Sequence, residues 1–206
     1  MVEGETMEKV RRDLLAFWFG DDSDDVAVAA AKTELWWGHS PATDRLLRER
    51  FGAAATAAAA GLLDHWAESP RGRLALILLL DQLPRAIRRD TPGAFAQDAE
   101  ARILTEQGLE SGAAEPLRPI ERLFLYLPLE HSEDLEDQDR SVELFRELAE
   151  SISEEQRPTF SDFIDYAQKH REVIARFGRF PHRNRILGRE STPEEKTFLE
   201  QPGSSF

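Results

Sequence analysis

The chain has 206 residues, 41% of them hydrophobic, and its 12 Phe and 4 Trp supply enough large apolar groups for one ordinary globular domain. The formal net charge of −13 argues against binding to nucleic-acid phosphates, and the absence of cysteine excludes disulfides, thiolate nucleophiles and cysteine-ligated zinc, so the cytoplasm is the expected compartment. The longest apolar run covers residues 74–80, far short of the roughly 20 residues that a membrane helix needs, and the acidic N-terminus is unlike a secretory signal.

Helical spacing of apolar residues dominates the first half of the chain and predicts four helices and a short turn. The first helix is predicted to start near Glu8, and the second to end near Gly38. The third is predicted at residues 44–60, the turn at residues 62–67, and the fourth helix from Ser69. Ser69 and Pro70 are residue types favoured at the N-cap and the first helical position. Pro84 has no N–H for the carbonyl of Leu80, so the fourth helix should kink or stop there.

The second half is also predicted to be helical, at residues 92–105, 120–127, 129–152 and 158–177, with a turn at 181–187 and a last helix from Thr192. Pro128 is expected to break the chain between two of these segments. Gly178 should end the helix that precedes it, and Thr192 with Glu195 forms a capping box. Because no strand-like alternation, repeat or linker interrupts the pattern, we expect a single all-α domain over residues 1–206.

Two of these helices place a histidine on the face that is expected to be buried. In the helix at 158–177, His170 completes the stripe formed by Phe160, Phe163, Ala167, Ile174 and Phe177. In the helix at 129–152, Gln138 and His131 extend backwards the stripe formed by Leu135, Val142, Phe145, Ala149 and Ile152. A histidine on an apolar stripe is more often a satisfied core residue than a ligand, so His131 and His170 gain interest only if they converge with other polar groups.

Asp81 and Arg85 continue the apolar stripe of the fourth helix and are four residues apart, the spacing of a local ion pair. A buried charge without a partner costs several kcal/mol or shifts its pKa. Asp81 is therefore expected either to pair with Arg85 and nearby donors or to serve a site.

Charge is distributed unevenly over the last third of the chain. Residues 129–155 hold eleven acids, whereas residues 169–189 hold seven basic residues. The first interpretation is that the basic segment packs on the acidic helix through salt bridges. The alternative is an anion site formed by Arg176, Arg179 and Arg183 around the turn at Gly178. No phosphate-binding loop, nucleophile elbow or zinc-binding motif is present, so we expect no metal and no cofactor.

A series of short motifs runs nearly the length of the chain: FWFG at 17–20, WW at 36–37, LLDQLPR at 79–85, FLYLPLEHSED at 124–134, RFGRFPHRN at 176–184, LGR at 187–189 and TPEE at 192–195. In these motifs and in their order, the chain resembles the bacterial family called domain of unknown function 924. The resemblance implies an all-α, antiparallel helical array of the tetratricopeptide-like class, and it implies no established activity, substrate or cofactor. The family's motif positions fall on Asp81, Arg85, Glu130, His131, Arg179, His182, Arg183 and Asn184, and His170 matches the histidine that usually precedes the arginine-rich motif.

Three functions are compatible with the sequence. The first is a pocket in which Asp81, Arg85, Glu130, Arg179, His182, Arg183 and Asn184 bind a small anion and His131 and His170 act as acid and base. The second is a groove that binds a peptide or a partner protein, as tetratricopeptide-like folds often do. The third is a purely structural network that fixes the packing of the helices. The sequence does not decide whether the protein is an enzyme, nor its oligomeric state, and it predicts neither a nucleic-acid nor a membrane partner.

Overall fold

Helices form the regular structure of residues 2–204, the part of the chain that the computed structural model describes. Its α-helices are α1 (Val2–Phe19), α2 (Asp25–Trp37), α3 (Pro41–Ala59), α4 (Pro70–Ile77), α5 (Leu83–Ile87), α6 (Asp98–Glu110), α7 (Pro119–Glu130), α8 (Leu135–Ser151), α9 (Arg157–Phe177) and α10 (Pro193–Leu199). A π-helical turn (Leu78–Gln82) joins α4 to α5, and 3-10 turns cover Asp64–Glu68, Pro92–Ala94 and Pro181–Arg183. No strand occurs within these described residues, and the all-α prediction is confirmed; the tetratricopeptide-like class stays a prediction.

The centre of the core is formed by α4 with its π turn and by α7. Leu74, Ile77 and Leu78 have no solvent exposure, and neither do Leu123 and Phe124. A helix that is apolar on all sides must be covered on all sides. Accordingly α1, α6 and α7 pack around α4, α8 packs on α7, and α9 packs on α8. None of the helices in the described part combines the length and the apolarity needed to cross a membrane.

The predicted helix ends that rest on capping chemistry are confirmed. Ser69 Oγ accepts a hydrogen bond from the Gly72 amide at 3.2 Å at the start of α4. Thr192 and Glu195 form the reciprocal capping box of α10. Gly178 ends α9 with a φ of +68°, in the left-handed region that glycine enters without strain.

The helix that carries Asp81 does not stop at Pro84 but widens just before it. The amide of Leu83 donates to the carbonyl of Leu78, five residues back, which is the π-helical spacing. This turn accommodates a proline that cannot donate to the usual carbonyl. It also leaves Asp81 and Gln82 buried inside the protein.

The prediction that Pro128 separates two helices was wrong. Pro128 lies within the last turn of α7, where its missing N–H costs only one helical hydrogen bond. The break comes later, because His131 is the C-cap of α7 and the Asp134 side chain caps α8, which begins at Leu135. His131 therefore lies in the turn between two helices. Leu135, the first residue of the predicted buried stripe, is 41% exposed.

The prediction of a helix from Pro92 was also wrong at its start. Pro92–Ala94 form a separate 3-10 turn, and the amide of Phe95 closes it by donating to the Pro92 carbonyl at 3.1 Å. Helix α6 begins at Asp98, whose carboxylate lies in the first turn, near the positive end of the helix dipole. This later start is what brings Asp98 to the polar cluster described next.

Candidate functional site: a polar cluster beside a surface cleft

Asp81 is the centre of a buried polar cluster, and the residue has no solvent exposure. Its Oδ1 lies 2.7 Å from His131 Nδ1 and 3.1 Å from Arg85 Nη1, and its Oδ2 accepts from Gln82 Nε2 at 2.6 Å. Burial opposes ionisation of this carboxyl group, but the Arg85 charge and the contact with His131 outweigh it and hold the pKa of Asp81 below its usual range. Asp81 is thus a carboxylate surrounded by three donors.

Arg85 connects Asp81 to a second carboxylate, that of Asp98. Its two terminal nitrogens bind Asp98 at 3.0 and 2.9 Å, and Nη1 also donates to the backbone carbonyl of Asp81 at 2.6 Å. Burial works against the charged guanidinium, but Asp81 and Asp98 together raise the pKa of Arg85 above its ordinary value. Arg183 reaches the same Asp98 carboxylate from the C-terminal segment, with Nη1 3.5 Å from Oδ2. The cluster thereby joins three separate parts of the chain.

The imidazole of His131 is oriented with its Nδ1 toward Asp81. An ionised carboxylate can only accept, so Nδ1 carries the proton of that hydrogen bond. Burial and the positive charge of nearby Arg85 lower the pKa of His131, and the negative charge of Asp81 offsets this only in part. The imidazole is therefore neutral at pH 7. Nε2 then carries the lone pair, and it makes no hydrogen bond among the described residues. An imidazole oriented in this way is suited to accept a proton from a bound molecule.

Glu130 and His170 form a second buried pair next to the first. His170 Nδ1 donates to the Tyr166 carbonyl at 2.8 Å and lies 3.4 Å from Glu130 Oε1. Burial lowers the pKa of His170 to about 3. Burial, together with the negative charge of Asp81, raises the pKa of Glu130 to about 8. Both groups are therefore mostly neutral at pH 7.

A surface cleft with a volume of about 400 Å³ opens beside the Asp81 cluster. Polar and charged residues supply half of its lining: Asp98, Arg102, His131, Ser132, Glu133 and Arg183. The other half is apolar: Pro92, Phe95, Ala96, Ala99, Pro128 and Leu187. The volume lies in the range of small-molecule sites, and an apolar wall with a few convergent polar groups is typical of such sites.

Arg183 is the cation of this cleft that has the least complete set of partners. It is only 6% exposed, its Nε has no hydrogen-bond partner within residues 2–204, and its hydrogen bond to Asp98 is long at 3.5 Å. Its guanidinium carbon lies 4.7 Å from the ring centre of Phe95 and 4.5 Å from that of Phe180. Burial and the nearby Arg85 lower the pKa of Arg183 to about 10, which still leaves it charged at neutral pH.

Arg179 and Asn184 do not join the cluster, although the sequence placed them among the candidates. Arg179 makes a bidentate bond to Glu195 at 2.6 and 2.9 Å, and Asn184 Nδ2 donates to the same carboxylate at 3.2 Å. The Arg179 hydrogen bonds are the main reason that the pKa of Glu195 lies well below its ordinary value. His182 lies nearer the cluster, beside the Phe180 ring, and burial lowers its pKa to about 4.

The structure does not bring all three arginines of the predicted anion site together. Arg176 and Arg179 line one surface pocket, where they pair with Glu194 and Glu195. Arg183 lines the other cleft and pairs with Asp98. The other interpretation of the charge pattern applies in part, because Arg171 binds Asp139 and Arg189 binds Glu133 across the acidic segment.

Sequence reasoning missed several residues that shape the site. Asp98 joins Arg85 to Arg183, Phe95 packs on Arg183, and Glu133 and Arg102 line the cleft. Glu133 lies within a motif that carried the family resemblance, which was the signal available for it. No sequence signal pointed to Asp98, because its partners are distant in sequence. Within the described residues, no group of three or more His, Asp or Glu side chains is arranged to hold a metal ion.

Comparison with known proteins finds relatives of the chain but no described activity. The profile of a family described as "Bacterial protein of unknown function (DUF924)" matches residues 14–203. A solved structure of a protein of unknown function from Agrobacterium tumefaciens is 37% identical in sequence, with a TM-score of 0.71 over 86% of this chain and 99% of that one. The search of curated proteins gave no match.

Proposed function

This chain belongs to the bacterial DUF924 family, and we propose that its cleft binds a small anionic molecule against Arg183, with His131 as the acid–base group of the site. The observation that carries the proposal is the incomplete pairing of Arg183. Arg183 lines the cleft, and its hydrogen bond to the Asp98 carboxylate is long at 3.5 Å, so its guanidinium gains more from an incoming anion than an arginine that a carboxylate already holds through two nitrogens.

The Asp81–His131 pair supports a catalytic role for the same cleft. Asp81 orients the imidazole through Nδ1 and stabilises the imidazolium that forms when Nε2 takes up a proton. Arg85 keeps Asp81 ionised and is itself held by Asp98. A ligand bound to Arg183 would lie in the cleft that His131 also lines.

The size of the cleft favours a small molecule over a bound peptide. A volume of about 400 Å³ is typical of a small-molecule pocket, whereas a peptide groove must extend over several residues. We also propose that the protein acts in the cytoplasm, an assignment supported by its lack of cysteine.

A thermal-shift experiment tests this function, with sodium benzoate and phenyl phosphate as probes. A ligand at 100 times its dissociation constant adds about 2.7 kcal/mol, which raises the melting temperature of a domain of this size by about 5–10 °C. We expect a shift with at least one probe, and we expect Arg183→Gln to abolish it. The matched control is Arg171→Gln, which removes an exposed arginine that pairs with Asp139. Absence of any shift in the unmutated protein, or a full shift in Arg183→Gln, would refute the proposal.

A further inference from the structure

The charges around the cleft limit the kind of anion that it can bind. Asp98 and Glu133 on its wall are balanced by Arg102 and Arg183, and His131 adds no charge while it is neutral. The wall as a whole therefore has no excess positive charge. A singly charged anion can be accommodated by the under-paired Arg183 alone. A doubly charged anion would bring a second negative charge close to Asp98 and Glu133.

The shell behind the wall does not change this balance. Arg102 is bound by Asp137 through both Nε and Nη2, and it also contacts Glu106. Glu133 receives two hydrogen bonds from Arg189, at 2.7 and 2.9 Å. Counted once each, the described groups of the wall and of this shell are four arginines (Arg85, Arg102, Arg183 and Arg189) and five carboxylates (Asp81, Asp98, Glu106, Glu133 and Asp137), so no positive charge is left over for a second anionic charge.

The apolar half of the cleft indicates what is attached to the anionic group. Phe95 packs on Arg183 and also lines the cleft, so an apolar surface begins next to the guanidinium. Pro128 and Leu187 extend the apolar lining. A ligand whose charged group binds Arg183 would place its remaining atoms on this apolar surface. Both apolar surfaces would then be removed from water, which favours binding.

We propose that the ligand is a small monocarboxylate with an apolar body, such as an aromatic or branched aliphatic acid, and not a phosphate ester. This rests on the proposed function and narrows it to one ligand class. A carboxylate carries one charge at neutral pH and pairs with the planar guanidinium through two oxygens, whereas a phosphate monoester carries between one and a half and two charges.

Isothermal titration calorimetry with acetate, benzoate and phenyl phosphate tests the inference. We expect benzoate to bind at least about tenfold more tightly than acetate, because its ring is buried on the apolar wall. We also expect benzoate to bind more tightly than phenyl phosphate. Acetate binding as tightly as benzoate, or phenyl phosphate binding more tightly than benzoate, would overturn the inference and leave the proposed anion site standing. If none of the three probes binds, both are refuted.

A charge substitution provides a second test within the same cleft. Glu133→Gln removes one negative charge from the wall but keeps an oxygen that can accept from the Phe180 amide. It should improve the affinity for phenyl phosphate relative to benzoate by about two- to fivefold, since the dianion feels the removed charge more strongly. Glu143→Gln, an exposed acid paired with Arg140, is the control and should leave the ratio unchanged. An unchanged ratio in Glu133→Gln would contradict the charge argument.

Discussion

Replacing Asp81 with asparagine should destabilise the protein strongly, because this carboxylate is the shared partner of three donors. The asparagine side chain would keep nearly the same shape but lose the charge that faces Arg85 at 3.1 Å and His131 at 2.7 Å. Removing one partner of a buried ion pair costs about 3–5 kcal/mol, and Arg85 retains its bidentate bond to Asp98, so we expect a loss of about 2–4 kcal/mol for Asp81→Asn. That is a large part of the roughly 5–15 kcal/mol by which a domain is stable.

Urea unfolding at pH 7, followed by the circular dichroism of the helices, measures this loss. Asp139→Asn is the matched control, since Asp139 also pairs with an arginine, at 2.7 Å, but on the exposed surface. Its cost should be below about 1 kcal/mol. The effect of Asp81→Asn should also shrink in acid. The pKa of Asp81 is lower in the folded protein than in the unfolded chain. The carboxylate therefore stabilises the fold at pH values above its unfolded-state pKa, and this stabilisation is lost as the pH falls toward its folded-state pKa. If the two substitutions lowered the free energy of unfolding equally at pH 7, Asp81 would not be the central charge of the buried cluster.

The remaining predictions concern the pH dependence of stability and two glycines. The pKa of Glu130 is raised to about 8, so the unmutated protein should lose stability relative to Glu130→Gln as the pH rises from about 5 to 8, and a constant difference in urea midpoint would contradict this. The pKa of His170 is lowered to about 3, so its effect on stability runs in the opposite direction with pH. The protein should lose stability as the pH drops below about 6.5, and His170→Gln should weaken that loss in the same urea series. Gly178→Ala should cost about 1 kcal/mol because its φ is +68°, whereas Gly52→Ala inside α3 should stabilise by about 0.5–1 kcal/mol; thermal unfolding that shows the same sign for both would be inconsistent with the structure.

The part of the site that follows helical periodicity could be predicted from the sequence. The four-residue spacing of Asp81 and Arg85 fixes their ion pair within one helical turn, and His170 is buried as its stripe predicted. His131 also reaches Asp81, although the helix assigned to it begins four residues later. The stripe that led back to His131 crosses a helix end, so the family motif is the sequence signal for His131 that agrees with the structure.

The contacts that were missed depend on how distant segments pack. Arg85 and Asp98 are 13 residues apart, and Arg183 and Asp98 are 85 apart, so no local pattern links them. Arg179 shows the converse error: it lies in the same motif as Arg183, but Arg183 belongs to the 3-10 turn Pro181–Arg183, whereas Arg179 precedes that turn and pairs with Glu195. Sequence spacing therefore identified which residues are polar and buried, and packing decided which of them share a cleft.

Nitrogen-detected NMR of the imidazole groups, with His131→Gln to assign His131, tests whether Arg183 and His131 act on one ligand. In the free protein at pH 7, His131 should carry its proton on Nδ1 and a lone pair on Nε2. Saturating benzoate should shift the Nε2 resonance and raise the pKa of His131, because a bound carboxylate favours the protonated ring, and both effects should vanish in Arg183→Gln. A His131 signal that benzoate leaves unchanged, or changes equally in Arg183→Gln, would contradict the proposal that Arg183 and His131 act on one ligand.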